Sequence, residues 1–371
     1  MDVIKLIYEA EEKKGSDLHL VAQSPPLVRV RGDLEALNGY EQLQPADIKT
    51  AFEQLTTHEE RETFYQEWEL DFGYSLDGVG RLRCNAAMQR GAISLAIRLL
   101  PPNIPTISEL ELPDICQKLV TKPRGLVIVT GPTGSGKSTT LAAMIQHLNN
   151  TESKHIVTIE DPIEYVHPCI KCAVTQRQLG SDTLSFGHAL KHVLRQNPDV
   201  IMVGEMRDLD TAAAVLTIAE TGHLVLSTSH APSAYQALER IIDLFPPHER
   251  HLAQTRLASL IEGVLCQTLI PRSNTDGRIV AVEIMLGSPA VRNLIREGKF
   301  YQLPNVIRTS HDEGMITMDE ALVELYRQQV ISRENLFNYC QDASEVEKLI
   351  SSSPGSQKRK KLIENSKSLL F

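Results

Sequence analysis

The stretch "GLVIVTGPTGSGKSTTLAAM", residues 125–144, runs from apolar residues through a glycine loop into a helix-like segment. Gly131, Gly136, Lys137 and Ser138 fit G-x-x-x-x-G-K-[ST], and Thr133, Gly134, Ser135 and Thr139 complete the loop. Glycines let the backbone curl so that several N–H groups point inward at a phosphate. Lys137 adds charge at the outer phosphates, and the Ser138 hydroxyl suits Mg²⁺. The chemistry indicated is binding of ATP with Mg²⁺. Hydrolysis needs a carboxylate as well. The apolar run "DVIMVGE" ends in Glu205, where a carboxylate either orients an attacking water or holds Mg²⁺ through one. Gly204 occupies the position of the Walker-B aspartate. The carboxylate therefore comes one step later, which leaves the metal ligand open and favours Glu205 as the catalytic group.

Two further polar clusters follow apolar runs. "TIEDPIE" puts Glu160, Asp161 and Glu164 at the end of one, either near the nucleotide's metal or as a helix-start cap with solvated charges. "ETGHLVLSTSHAPSA" places His223 at the start of a strand and His230 just past its end. A residue at the carboxyl end can sense a γ-phosphate, so His230 is the better candidate. His223 reads equally well as a helix-end or interface histidine.

These residues need strands that end together. "LVIVTG", "HIVTIED", "DVIMVGE" and "HLVLSTSH" alternate with helix-like stretches such as "TAAAVLTIAETG" and "SAYQALERIIDLF". That alternation predicts an α/β fold, a mainly parallel sheet with helices on both faces and the ligand at the carboxyl ends of the strands. Further helices are expected to fill residues 248–343. Residues 1–100 differ: "SDLHL", "PPLVRVRGDLEAL", "DFGYSLDGVGRLRCNAAM" and "GAISLAIRLLP" are short strand-like runs between turns, an α+β module. In "LVRVRGDL", Val28 and Val30 oppose Arg29 and Arg31 across a half-buried strand, and Gly32-Asp33 offers a turn. "PPNIPTISELELP" sets four prolines among residues 101–113, a stiff connection. The expected organisation is an amino-terminal domain over 1–100, a linker over 101–113, an ATPase domain with carboxyl-terminal helices over 114–345, and a flexible Ser- and Lys-rich tail over 346–371.

The first module carries Arg81, Arg83, Arg90 and Arg98 within 18 residues. Residues 81 and 83, two apart, face the same side of a strand. A planar, permanently charged fork suits a γ-phosphate and can act as a finger on the transition state. The alternative is a set of surface arginines paired with acids such as Glu69 or Asp71.

Composition narrows the partners. A formal charge of −9 with 5% aromatic residues argues against a nucleic-acid translocase, which would need a basic, aromatic-lined strand path. No apolar run approaches the length of a membrane span, and "MDVIKLIYEAEEKKG" is too acidic for a signal peptide; with Val3, Ile7 and Ala10 on one face it reads as a surface helix. The expected compartment is the cytosol, with proteins as partners. Six scattered cysteines include a single CxxC pair, Cys169 and Cys172, which is half a zinc site at most, so the thiols read as structural or incidental.

Taken in order, "GPTGSGKSTTLAAM", "TIEDPIEY", "PDVIMVGEMRDLDT", "AETGHL" and "AVRNLIRE" resemble the secretion ATPase superfamily, and within it the PilT-type retraction ATPases of type IV pili. The resemblance covers residues 1–345. It implies a PAS-like first domain, a RecA-like P-loop ATPase core and a homohexameric ring. It also implies a cytoplasmic motor peripheral to the inner membrane at the pilus base, without direct membrane insertion. Implied partners are the pilus inner-membrane platform protein and a related pilus ATPase. By the same resemblance Lys137 and Ser138 belong to Walker A, Glu160 and Glu164 to an acidic box, Glu205 to Walker B, and His223 and His230 to a histidine box, while Arg83 and Arg98 gain weight as arginine fingers from the same or a neighbouring chain. One departure is visible: where T-L-H-T or a near variant is usual, this chain reads Thr228-Ser229-His230-Ala231, without the final hydroxyl. Accessory retraction ATPases of the PilU kind, and the pilus-assembly and type II secretion ATPases, are the neighbouring alternatives. The last usually carry extra amino-terminal domains and two CxxC pairs.

Overall fold

The computed structural model describes residues 1–30, 32–100, 103–274 and 277–351. Arg31, Pro101, Pro102 and the last 20 residues of the expected tail lie outside them. The chain divides into two compact units, one holding Met1–Ile104, Glu160–Pro168 and Gln176–Asp182, the other Pro105–Ile159, Cys169–Thr175 and the residues from Thr183 onward.

The first unit begins with α1 (Val3–Glu12), β1 (Asp17–Leu20), β2 (Leu27–Val30) and β3 (Asp33–Ala36), then α2 (Pro45–Leu55), α3 (His58–Glu67), β4 (Glu69–Leu76), β5 (Gly80–Gln89) and β6 (Ala92–Leu99). The strands form one sheet in the order β3-β2-β1-β6-β5-β4, with each neighbouring pair antiparallel. Strict alternation sorts its faces. Leu82, Cys84, Ala86, Leu95 and Ile97 are buried in one core with Leu6, Ile7, Phe52 and Phe64 of the helices. Asp17, Arg83 and Arg98 take the opposite face. The β5–β6 hairpin turns through Arg90 and Gly91 at φ 50° and 79°, so Arg90 serves the turn and not the strand face.

The second unit contains α4 (Ile115–Val120), β7 (Gly125–Thr130), α5 (Lys137–Thr151), β8 (His155–Glu160), β9 (Ala173–Gln178), α6 (Phe186–Val193), β10 (Val200–Val203), α7 (Leu209–Glu220) and β11 (Leu224–Thr228). It continues through α8 (Ala234–Asp243), α9 (Arg250–Leu260), β12 (Ile261–Pro271), β13 (Arg278–Leu286), α10 (Pro289–Arg296), α11 (Leu303–Thr309), α12 (Met318–Arg327), α13 (Arg333–Tyr339) and α14 (Ala343–Ser351). The last residues of β8 and β9 group with the first unit. The seven strands run in the order β13-β12-β7-β11-β10-β8-β9; β12, β7, β11, β10 and β8 are parallel and β13 pairs antiparallel to β12. Leu126 and Ile128 face a core shared with α6 to α10, and Val127 and Val129 face one shared with α4 and α5, so both faces are covered.

The expectation of helices throughout 248–343 is corrected by β12 and β13. "IEGVLCQTLIP" and "RIVAVEIML" are apolar, β-branched runs of strand length, which a helix with one wet face would not tolerate. The buried carboxylate of Glu283 on β13 accepts N–H bonds from Ala234 at 2.7 Å and Met318 at 3.4 Å, tying the starts of α8 and α12 to this edge strand. The first six residues of the expected tail, 346–351, lie in α14, where Val346 is fully buried against α12 and α13. Ile107 and Leu112, placed in the expected linker, are buried in the core of the second unit.

Candidate active site

The phosphate loop joins β7 to α5. Gly131, Gly134 and Gly136 take φ of 142°, 79° and 91°, a region that side chains rarely enter. At Gly131 a Cβ would lie 2.3 Å from the carbonyl oxygen of Gln267, so β12 forms one wall of the loop. Lys137 is buried at the first position of α5, and its Nζ donates to the carbonyls of Gly131 at 2.9 Å and Pro132 at 3.0 Å. Ser138 and Thr139 follow in the first helical turn, whose N–H groups have no intrahelical acceptor. The Ser135 Oγ is buried with no hydrogen-bond partner among the described residues, and Thr133 is exposed at the loop tip. A loop of inward N–H groups, an ammonium and an unsatisfied buried hydroxyl fits a nucleotide's phosphates.

The ends of β10 and β11 lie beside β7 in the sheet. Glu205 follows β10; its carboxylate receives Arg207 Nε at 2.6 Å on one oxygen and has His230 Nε2 at 3.4 Å from the other. Burial, and then the charge of Lys137, hold the His230 imidazole below its ordinary pKa. The loop carrying His230 is sewn to the phosphate-loop strand: the Thr130 hydroxyl donates to the carbonyl of Ala231 at 3.0 Å and accepts its N–H at 2.9 Å. The Thr228 hydroxyl bonds the Gly204 carbonyl and Ser227 Oγ that of Val203, linking β11 to β10. Ala231, at the position where the resembling motif usually has a hydroxyl, is buried and bonds through its backbone. His223 stays at the other end of the strand, its Nδ1 2.9 Å from Thr221 Oγ1 at the end of α7.

Glu160, Glu164, Arg83 and Arg98 belong to the first unit. Glu160 is buried at the end of β8, and Gln176 Nε2 donates to its Oε1 at 3.0 Å. Glu164 makes no hydrogen bond or ion pair among the described residues. Arg98 pairs with Asp17 at 2.8 Å, while Arg83, directly opposite it in the β5–β6 register, is exposed and has no partner among the described residues. The expected acids do not pair with these arginines: Asp71 accepts from Asn85, and Arg81 bonds Ser75 Oγ at 3.1 Å and Gln178 Oε1 at 3.2 Å. Cys169 is exposed, Cys172 is buried, and both are free thiols; among the described residues no group of three or more His, Cys, Asp or Glu could hold a metal ion.

Sequence reading missed Arg207, Thr130, Gln176 and Gln178. Arg207 carried a signal, a cation two residues past a strand-end carboxylate. Thr130 carried none, because a threonine closing a strand is ordinary.

The type II/IV secretion system protein family matches residues 94–362. The type IV pilus retraction ATPase PilT of Pseudomonas aeruginosa is 44% identical over 335 residues, 90% of this chain and 97% of that protein. The type IV pilus ATPase PilU of the same organism is 40% identical over 350 residues, 94% of this chain and 91% of that protein. A crystal structure of the pilus retraction motor PilT with bound ADP superposes with a TM-score of 0.88 at 40% identity, covering 94% of this chain and 99% of that one. The seven-stranded core is thus a RecA-like ATPase fold and the smaller α+β unit a PAS-like domain. With its phosphate loop and this agreement along most of its length, the chain belongs to the type II/IV secretion system protein family, among its PilT-like ATPases.

Proposed function

We propose that this chain is the Mg²⁺-dependent ATPase motor that powers retraction of type IV pili, and so twitching motility. The observation that carries the reading is the convergence of the phosphate loop, Glu205 and His230 at neighbouring strand ends, in a chain similar over 90% of its length to a retraction ATPase. Lys137 and the loop N–H groups bind the phosphates. Ser138 would hold Mg²⁺, which when bound offsets phosphate charge. Glu205 orients the attacking water and His230 senses the γ-phosphate. Glu160 and Glu164 act near the metal, and Arg83 and Arg98 supply guanidinium groups to the transition state. The working form is a homohexamer in the cytoplasm, peripheral to the inner membrane at the pilus base. It engages the platform protein and a related pilus ATPase.

Deleting the gene and scoring surface pili tests the direction of force. More pili with no twitching supports retraction; fewer pili supports assembly. Glu164→Gln should lower turnover while the melting temperature holds, and an unchanged rate would reduce the residue to a solvated charge. Mixing Arg83→Ala with Lys137→Ala subunits, each inactive alone, separates two origins of the arginine: recovered ATPase means that one subunit's arginine serves another's phosphate loop.

An accessory role is the second reading, favoured by the similarity to PilU over 94% of the chain. Expressing this chain alone in a strain lacking every related pilus ATPase discriminates. Restored twitching identifies a principal motor, and failure with normal ATPase in vitro identifies an accessory one.

A further inference from the structure

We propose that Gln176 is a positioning residue for the carboxylate of Glu160, and that Gln176 and Gln178 together clamp the loop 161–168 onto strand β9. The proposal rests on the ATPase reading and on a part for Glu160 in hydrolysis. Residues two apart on a strand share a face. Both amides accordingly meet the same loop, while Arg177 between them turns to the carbonyl of Asp182 at 2.8 Å. Gln176 uses both donors and its oxygen: Nε2 donates to Glu160 Oε1 at 3.0 Å and to the Tyr165 carbonyl at 2.8 Å, and Oε1 accepts the His167 N–H at 2.8 Å. Gln178 is buried, and its Oε1 accepts from the Ile163 N–H at 3.3 Å and from Arg81 Nη2 at 3.2 Å. The backbone closes the same ring, since the Leu179 N–H donates to the Glu160 carbonyl at 2.8 Å.

A planar amide offers two donors and an acceptor without charge, so it fixes the direction of a carboxylate and leaves its negative charge in place. A glutamate at 176 would keep the acceptor for His167, lose both donors and set one carboxylate against another. Arg81 carries the clamp back to the sheet of the first unit. Its guanidinium crosses Gly73, where a Cβ would lie 2.2 Å from Nη2, and reaches Ser75 and Gln178. The glycine keeps this path open.

The test is steady-state ATPase of the purified full chain with Gln176→Ala and Gln176→Glu, alongside melting temperature and ADP affinity. Loss of alignment at a reacting centre can cost about 10²-fold in rate, and we expect kcat to fall by about that factor with KM for ATP within about threefold. The near-isosteric Gln176→Glu keeps the test valid if the alanine variant folds poorly. Turnover of both variants within about twofold of wild type, or a fall in kcat matched by lost ADP affinity and melting temperature, overturns the proposal. A wild-type chain that does not hydrolyse ATP sinks the ATPase reading instead.

Discussion

Glu205 and Glu160 follow apolar strands of one sheet, yet different chemistry holds them. Around Glu205 the grip is ionic: Arg207, exposed over 70% of its side chain, takes one oxygen and His230 faces the other. At Glu160 a neutral amide takes one oxygen, and that amide is itself anchored by backbone groups and by the main chain of a buried histidine. Exposed ion pairs are screened by salt, whereas hydrogen bonds from a neutral amide carry no such dependence. The Arg207 contact is thus the salt-sensitive one, and the Gln176 amide fixes a direction without adding charge.

The largest expected effect is at Glu205. Glu205→Gln keeps the shape but removes the charge that Arg207 and His230 face, and turnover should fall by about 10²-fold or more with ATP binding retained. Near-normal turnover would move the catalytic role to Glu160 or Glu164. Lys137→Ala should instead weaken nucleotide binding itself, read by ADP titration. Arg207→Gln should cost about tenfold in kcat, and because that ionic contact is exposed, the remaining activity should depend less on salt than the wild type's. Equal salt profiles would mean that Arg207 does not govern the carboxylate.

The neutral side predicts a pH effect. Burial pushes the His167 imidazole down to about 4 from 6.5. At pH 7 folded and unfolded chains both hold it neutral. As pH falls below its unfolded value the unfolded chain takes up a proton that the folded chain refuses, so stability drains between 6.5 and about 4, by about 3 kcal/mol in full. Urea midpoints at pH 7 and about pH 4.5 should therefore separate less for His167→Phe than for wild type. The smallest effect belongs to an exposed ionic contact on the sheet of the first unit. Arg98 is 59% exposed where it meets Asp17, so Arg98→Ala should cost at most about 1 kcal/mol of stability whatever it does to turnover. A larger loss would show that this face depends on its charges to fold.

The same contrast explains what the sequence disclosed. β7, β10 and β11 read clearly because each is an unbroken apolar run closed by a polar motif, and the alternation in β5 told the two faces of the first sheet apart. Glu205 and the phosphate loop were legible because a single segment carries each. Gln176 was not, since its meaning depends on Glu160, Tyr165 and His167, which come next to it only when the chain doubles back. β12 and β13 were lost because a buried apolar run has no wet face to reveal its period. Yet β12 supplies the backbone that makes Gly131 obligatory. The pairing of Arg98 with Asp17, and not with Glu69 or Asp71, is a matter of strand order, which local pattern does not encode.

The pair of hydrogen bonds between Thr130 and Ala231 also has an evolutionary reading. Because Ala231 is recognised through its own N–H and C=O while its side chain is buried, that position can drift among small residues without breaking the link. Position 130 has no such freedom: valine matches threonine in shape but would leave the Ala231 N–H without its acceptor and its carbonyl with only the Cys266 thiol at 3.9 Å. A lineage could therefore shed the hydroxyl of its histidine motif by single neutral steps. The silent threonine closing β7 is the residue at which purifying selection would be felt.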